Sequence, residues 1–456
     1  MNSRWTFMLA FGAATALLVS YAFASPSPWP EVVRQSEKRV GAVPARVAAP
    51  EQGDGFALKL LAGGLTRDAA VELALRNNSQ LQAAFDELGI AAADLDQVGL
   101  YTNPSLDAVL RFPSGEGGTN LEAELAFALS DVWLVPLRRS VGEARLEQVT
   151  MMVVSEVLNT TADARQSHDR CLVATALLGQ SREIAATVKQ WRDRVHERYD
   201  YGYSSQLDLS MADAAVAERE MELEEAKAQE RIALARLQRV LGLSGEDELE
   251  VVGSVPEPPV DLPDLAYLTR LALRDRPDLQ AARLGATAAD RVLLLERQSQ
   301  WEHVAIGPAY AREPDGEDLW GVVLQLDLPI FDSNRAQRRR AAVARVQAHN
   351  RVQAMEALVR EEVAIAWENL TLAINRERGI RDQLLPARRR AFDHAQKYWR
   401  EMQLNMLYML EAQREFAEAK RQHVEALGEL QRAHVELEFA VGGKLAVDEP
   451  PRREGD

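Results

Sequence analysis

Apolar positions along this chain switch period several times, and each switch marks a change of element. Val71, Leu75, Leu81 and Leu88 lie on one face at helical spacing, and Thr66 is placed to cap a helix running to about Leu100. Asn103-Pro104 ends that helix, because the residue before a proline is pushed out of helical backbone. The period then becomes two. Leu106, Ala108, Leu110 and Phe112 alternate with Ser105, Asp107, Val109 and Arg111, and a glycine-rich loop over 113–118 reverses the chain. Leu121, Ala123, Leu125, Phe127 and Leu129 then alternate with Glu122, Glu124, Ala126 and Ala128, completing a hairpin with one apolar and one polar or small face.

The same plan returns. A helix is expected from about Leu265 to Gln300, a strand from His303 to about Arg312, and a second strand through Trp320, Val322, Leu324, Leu326 and Leu328. After each hairpin comes a helical run of about 65 residues, from Pro136 to about Arg198 and from Asn334 to about Arg400, roughly 95 Å each. Helices from about Gln206 to Leu241 and from about Leu404 to Val441 return alongside them. The repetition extends to residue identity. Leu73-Ala-Leu-Arg-Asn-Asn-Ser-Gln-Leu-Gln-Ala-Ala84 recurs as Leu271-Ala-Leu-Arg-Asp-Arg-Pro-Asp-Leu-Gln-Ala-Ala282, and Arg138-Arg-Ser-Val-Gly-Glu-Ala-Arg145 recurs as Arg338-Arg-Arg-Ala-Ala-Val-Ala-Arg345. One structural unit is used twice.

The organisation follows: a signal peptide over 1–24, an extended lead-in over 25–64, a first repeat over 65–250, a proline-rich linker over 251–263, a second repeat over 264–443 and a polar tail over 444–456. Arg4, the apolar stretch Phe7 to Val19 and the small residues of Ala22-Phe-Ala24 have the form of a cleaved export signal. No cysteine stands at the cleavage site, so no lipid anchor is expected there. The lone Cys171 allows no intrachain disulfide and reads as a small packing residue.

The net charge of −16 argues against nucleic acid as a partner. Aromatics are only 6% of a chain that is 47% hydrophobic, which suits long Ala- and Leu-rich helices. Nothing has the spacing of a phosphate loop, a nucleophile elbow or a zinc-binding histidine pair, so neither an enzyme nor a bound cofactor or metal is expected. The arginines Arg338, Arg339 and Arg340 read as a solvated helix face near lipid headgroups.

Strand length brings in the membrane. Each strand has about 8–10 residues, enough to cross an outer-membrane bilayer when tilted. Asp107, Glu122, Glu124, Gln325 and Asp327 share the polar face, which suits a watery lumen and not lipid. Four strands cannot close a barrel and an open edge cannot sit in hydrocarbon, so several chains must combine. Two would give a plugged eight-stranded barrel; three give twelve strands and an open lumen.

The chain from about Leu65 to Gly443 resembles the TolC-type outer-membrane efflux protein family. The resemblance rests on the duplicated order of helix, strand pair and long helices, and on Tyr199-Asp-Tyr-Gly202-Tyr-Ser-Ser-Gln-Leu-Asp208, which has the family's tip pattern of Tyr-x-x-Gly, a hydroxyl residue and Leu-Asp. Leu241-Gly-Leu243 and Val441-Gly442 also fit. Asn103-Pro104 points towards its cobalt–zinc–cadmium branch.

The resemblance implies a mainly α-helical fold with a small β part: a homotrimer whose twelve-stranded outer-membrane barrel continues as a periplasmic α-helical barrel. It implies tips that dock a periplasmic adaptor, here Tyr199, Gly202, Ser204, Ser205, Glu401 and Gln403, and a proton-driven inner-membrane pump beyond the adaptor. Asp208 matches an acidic residue of the periplasmic aperture, with Glu411 as its second-repeat substitute. At the second tip, Tyr398-Trp-Arg-Glu401, Glu401 stands where Gly202 stands in the first, and Leu407 where Asp208 stands. The function implied is a passive exit duct for metal cations or drugs. Alternatives are a periplasmic coiled-coil scaffold and an outer-membrane exit for protein secretion.

Overall fold

Asn78 and Arg276, 198 residues apart, stand where the chain makes the same break twice. The computed structural model describes residues 27–46, 63–112, 114, 118–243, 249–253, 262–401 and 403–445. The expected signal peptide, the core of the linker and nearly all of the tail lie outside the described residues. Where one helix is expected from Thr66 to Leu100, there are two, α2 (Arg67–Asn77) and α3 (Ser79–Val98); α1 precedes them at Trp29–Val40. The second repeat likewise has α6 (Leu265–Asp275) and α7 (Pro277–Gln298). Thr66 caps α2 through Ala69 N–H, and Asp264 caps α6 through Ala266 and Tyr267.

The break residues explain the interruption. Asn78 turns to extended backbone, caps α3 by accepting from Leu81 N–H, and donates to the carbonyl of Val240 at 2.9 Å. Arg276 is also extended and donates to the carbonyl of Ala440. Each break is closed by the far end of a returning helix: α5 (Gln206–Leu241) in the first repeat, α10 (Met406–Val441) in the second. Gly242 and Gly442 end these helices in left-handed backbone. A Cβ at Gly242 would lie 2.3 Å from the Asn77 carbonyl, and one at Gly442 would lie 3.0 Å from Arg276 Cα. Both positions therefore require glycine for close approach as well as for conformation.

The chain divides into two units, and α3, α4 (Asp131–Asp200) and α8 (Arg335–Gly379) contribute to both. One unit holds the sheet, formed by β1 (Ser105–Arg111), β2 (Asn120–Ala128), β3 (Val304–Arg312) and β4 (Asp318–Leu326), antiparallel in the order β1-β2-β3-β4. The two hairpins thus join through β2 and β3. At the base of β2, the buried Asp131 carboxylate accepts from Thr102 N–H at 2.6 Å and meets Arg138 at 3.3 Å. Arg138 also reaches Glu302 at 3.0 Å, tying the start of α4 to the segment before β3. Asp131 sits in the first turn, where an anion complements the helix dipole. The long helix starts five residues before Pro136, which is tolerated near its beginning because it removes a single helical hydrogen bond.

The other unit holds the returning helices. The long run from Asn334, which begins in the first unit and continues into this one, is not one helix as expected: α8 is followed by a π-helical turn, Ile380–Leu384, and then α9 (Leu385–Arg400). Pro386 lies in the first turn of α9 and lacks the donor an α-helix needs, so the ladder is reset just ahead of it. The lead-in is also not wholly extended. Trp29–Val40 forms α1, with Pro30 accommodated in its first turn. Its Arg39 side chain is buried and donates to the carbonyl of Asp275 at 2.9 Å, while Lys444 N–H donates to the Arg39 carbonyl. Leu65 pairs with Val251 as an isolated parallel bridge, and His168 meets the Leu65 carbonyl at 3.0 Å. Cys171 is buried as a packing residue, and burial pushes its thiol up to about 12.

Candidate functional site

Two places carry the functional expectations: the sheet and the helical tips. In the sheet, register settles which side chains share a face. Leu106 faces Leu125, Ala108 faces Ala123 and Leu110 faces Leu121; across β2–β3, Phe127 faces Ile306 and Ala123 faces Tyr310. Trp320, Val322, Leu324 and Leu326 oppose Tyr310, Pro308, Ile306 and Val304. One face is therefore apolar from edge to edge. The opposite face holds Asp107 against Glu124 and Val109 against Glu122, then Ala309, Ala311, Gly321, Val323 and Gln325. Asp107, Glu122, Glu124 and Gln325 lie together as expected, and Glu122 is ion-paired with Arg111. Asp327 falls just past the end of β4, its N–H donating to the His303 carbonyl. The apolar face is open to solvent in the single chain: Leu106 is 70% exposed, Val322 74% and Leu324 64%. No described helix is long and apolar enough to cross a membrane.

At the first tip, α4 ends in a glycine-terminated turn. Gly202 N–H donates to Tyr199 carbonyl and Tyr203 N–H to Arg198 carbonyl, with Gly202 at φ +77°. Ser205 then caps α5. Its hydroxyl accepts from Asp208 N–H at 3.1 Å, while the Asp208 carboxylate accepts from Ser205 N–H at 2.9 Å. Asp208, which the resemblance assigns to an aperture, is here half of a capping box. Tyr201 and Tyr203 are 78% and 76% exposed, and a Cβ on Gly202 would meet nothing within 4 Å. Ser204 is half-buried and Ser205 exposed.

The second tip keeps part of this geometry and corrects the sequence-based pairing of the two. Gln403 N–H donates to Tyr398 carbonyl, as Tyr203 does to Arg198, and Asn405 caps α10 as Ser205 caps α5. The offset is thus 200. Glu401 corresponds to Tyr201, the position corresponding to Gly202 is Met402, and Tyr408 rather than Leu407 corresponds to Asp208. Glu401 itself has φ −80° and needs no glycine. The earlier offset followed the shared tyrosines Tyr199 and Tyr398; the caps and turn bonds set the structural one.

Sequence reasoning missed what lies beneath the tips. Trp191, Val195, Ala212, Trp399, Met406 and Met409 form one buried cluster, with Phe392, Leu404 and Leu410 packed against it. Both tips rest on it, and Arg198 lies over the Trp399 ring at 5.1 Å. The signal was present: two tryptophans and two methionines beside the helix ends, in a chain poor in aromatics. Beyond that cluster, further along the helices from the tips, a groove of about 970 Å³ runs among α4, α5 and α10. Its walls alternate acid and base, with pairs Arg219–Glu222 at 2.6 Å, Arg414–Glu411 at 2.9 Å and Arg421–Glu418 at 2.7 Å. The Arg421 guanidinium holds the Glu418 carboxyl below the usual range. Glu411, the other aperture candidate, is one partner in this ladder. Among the described residues, no group of three or more His, Cys, Asp or Glu side chains is placed to hold a metal ion.

Several known proteins resemble this chain in sequence or in fold. The cobalt-zinc-cadmium resistance protein CzcC of Cupriavidus metallidurans is 24% identical over 389 residues, covering 84% of this chain and 91% of CzcC. Nodulation protein T of Rhizobium leguminosarum bv. viciae is 22% identical over 475 aligned positions, covering 97% and 94%. No family model matches. Among solved structures, CusC superposes with a TM-score of 0.69 at 18% identity, over 83% of this chain and 92% of CusC. The outer-membrane channel OprN gives 0.70 at 20% identity, over 93% and 96%. This is the fold of the TolC-type outer-membrane factors. The resemblance read from the duplicated order and the first tip is borne out in sequence by CzcC and in fold by CusC.

Proposed function

We propose that this chain is the outer-membrane exit duct of a tripartite efflux system and not an enzyme, passing substrate from an inner-membrane pump and a periplasmic adaptor to the exterior. The observation that carries this reading is the sheet. It has two unpaired edges, an apolar exposed face and an acidic opposite face, a combination that suits lipid outside and water inside. Three chains supply twelve strands, so a homotrimer is the assembly proposed. Export by a cleaved, unlipidated signal peptide accounts for the location. Resemblance to CzcC favours cobalt, zinc or cadmium cations as cargo, with a proton-driven pump as the inner-membrane partner. Tyr199, Gly202, Ser204, Ser205, Glu401 and Gln403 are proposed to meet the adaptor, Asp208 and Glu411 to border the aperture, and Asp107, Glu122, Glu124, Gln325 and Asp327 to line the lumen.

The test uses the two faces of one sheet. Leu324→Arg and Leu125→Arg should each cost assembly roughly 2–4 kcal/mol near the bilayer midplane. Glu124→Gln, on the acidic face, should leave heat-modifiable, sarkosyl-insoluble trimers at wild-type level. Equal behaviour of the two classes overturns the assignment of faces. Recovery of wild-type protein as a monomer in osmotic-shock fluid overturns the channel.

A further inference from the structure

Four arginines line one open cradle in the unit that holds the sheet. The last turns of α7 contribute Leu293 and Arg297, and the first turns of α8 contribute Arg335, Arg338, Arg339 and Ala342, around about 680 Å³. Arg338 is fixed, donating to the carbonyls of Ser333 at 3.0 Å and Asn334 at 3.4 Å. For Arg297, Arg335 and Arg339 no carboxylate or carbonyl partner occurs among the described residues, and all three are exposed. Two carboxylates are nearby and both are engaged: Glu296 accepts from the Asn334 side chain at 2.9 Å, and Asp332 accepts from Asn334 N–H at 2.9 Å.

The cradle is built rather than loosely arrayed. Asn334 has φ +56°, the sole non-glycine residue with positive φ among the described ones, and its amide donates both to the Glu296 carbonyl at 2.8 Å and to its carboxylate. A strained residue held by two bonds fixes where α8 begins against α7. Immediately upstream, between β4 and this point, Leu328, Ile330 and Phe331 are 65%, 72% and 101% exposed. An uncovered apolar step followed within a few residues by arginines is the profile of a membrane–water boundary, where tails meet the apolar step and phosphates meet the guanidinium groups.

We propose that this cradle binds the headgroup of an anionic phospholipid at the inner rim of the barrel, with acyl chains along Leu328, Ile330 and Phe331. The proposal rests on the outer-membrane reading above and goes beyond it by naming a lipid class and its site. Arg338 orients the cradle; Arg297, Arg335 and Arg339 supply charge-assisted bonds to phosphate oxygens.

The experiment uses the full-length protein in neutral detergent, with phosphatidylglycerol, phosphatidylcholine and inorganic phosphate as separate probes read by native mass spectrometry. Wild type should retain phosphatidylglycerol over phosphatidylcholine, and the triple variant Arg297→Gln, Arg335→Gln, Arg339→Gln should lose that preference by at least about tenfold. Arg351→Gln, further along α8, should not change it. Competition by inorganic phosphate alone would locate the affinity in a free-anion site, and so would overturn the lipid assignment. Equal retention of the two lipids, or an unchanged triple variant, overturns the cradle. Loss of the oligomer rather than of lipid means the arginines pair with a neighbouring copy, which also overturns it. Sarkosyl fractionation of the same wild-type sample separates failure of this proposal from failure of the outer-membrane reading.

Discussion

The two helical tips follow one turn-and-cap plan, differ in the residues that make the turn, and stand on one common buried support. The first has Gly202 in left-handed backbone, a reciprocal Ser205–Asp208 cap and two exposed tyrosines. The second retains the turn bond from Gln403 to Tyr398 and a cap at Asn405, but has Met402 for the glycine and Tyr408 for the reciprocating acid. Both stand on the same Trp191, Trp399, Met406 and Met409 cluster. The support is one shared cluster to which the repeats contribute unlike residues: Trp191 stands opposite Ala391, and Trp399 opposite Tyr199, at the offset of 200.

The largest expected effect tests whether the tips share that support. Trp399→Ala should cost about 3–5 kcal/mol, because truncating a buried aromatic leaves a cavity. Limited proteolysis should then open both tips; cleavage confined to the second would make the tips independent. Next comes the turn. Gly202→Val forces a β-branched residue into left-handed backbone at a cost of about 1–2 kcal/mol. Adaptor crosslinking should fall while trimers persist, whereas Met402→Gly should leave crosslinking intact. If Gly202→Val crosslinks normally, the first tip is not the principal docking site.

Caps give a smaller and more local difference. Ser205→Ala should destabilise the start of α5 by about 1 kcal/mol, seen as faster amide exchange over the first turn, and Asn405→Ala should do the same for α10. Asp208→Ala should add to the first effect only by the return bond. The smallest change sharpens the comparison from the other side: Tyr408→Glu should complete a capping box at the second tip and slow exchange by a few tenths of a kcal/mol. No slowing would mean the backbone there does not accept the first tip's geometry.

Period and repetition alone determined the strands, their apolar faces, the long helical hairpins and the two-fold use of one unit. A period-two pattern has to place Leu106 and Leu125 on one face once they pair, whatever surrounds them. Capping was legible at Thr66, which stands before an apolar run, whereas Ser205 and Asp208 read as docking and aperture residues and only the structure joins them in a cap. Other features depended on contacts between segments far apart in sequence. Asn78 breaks a helix whose local pattern runs on, its side chain bonded to Val240 at the end of another helix. At Arg276 the following Pro277 already marks the break locally, and the bond to Ala440 only closes it. The lead-in forms α1 despite three nearby prolines, with Arg39 seated on the Asp275 carbonyl 236 residues away. The tip offset of 200 is a matter of which backbone groups meet, and residue identity at Tyr398 pointed one position aside. Periodicity records the environment of each face, which a sequence carries at every position. The partner of a given polar group is chosen by the tertiary fold, and no local pattern encodes it.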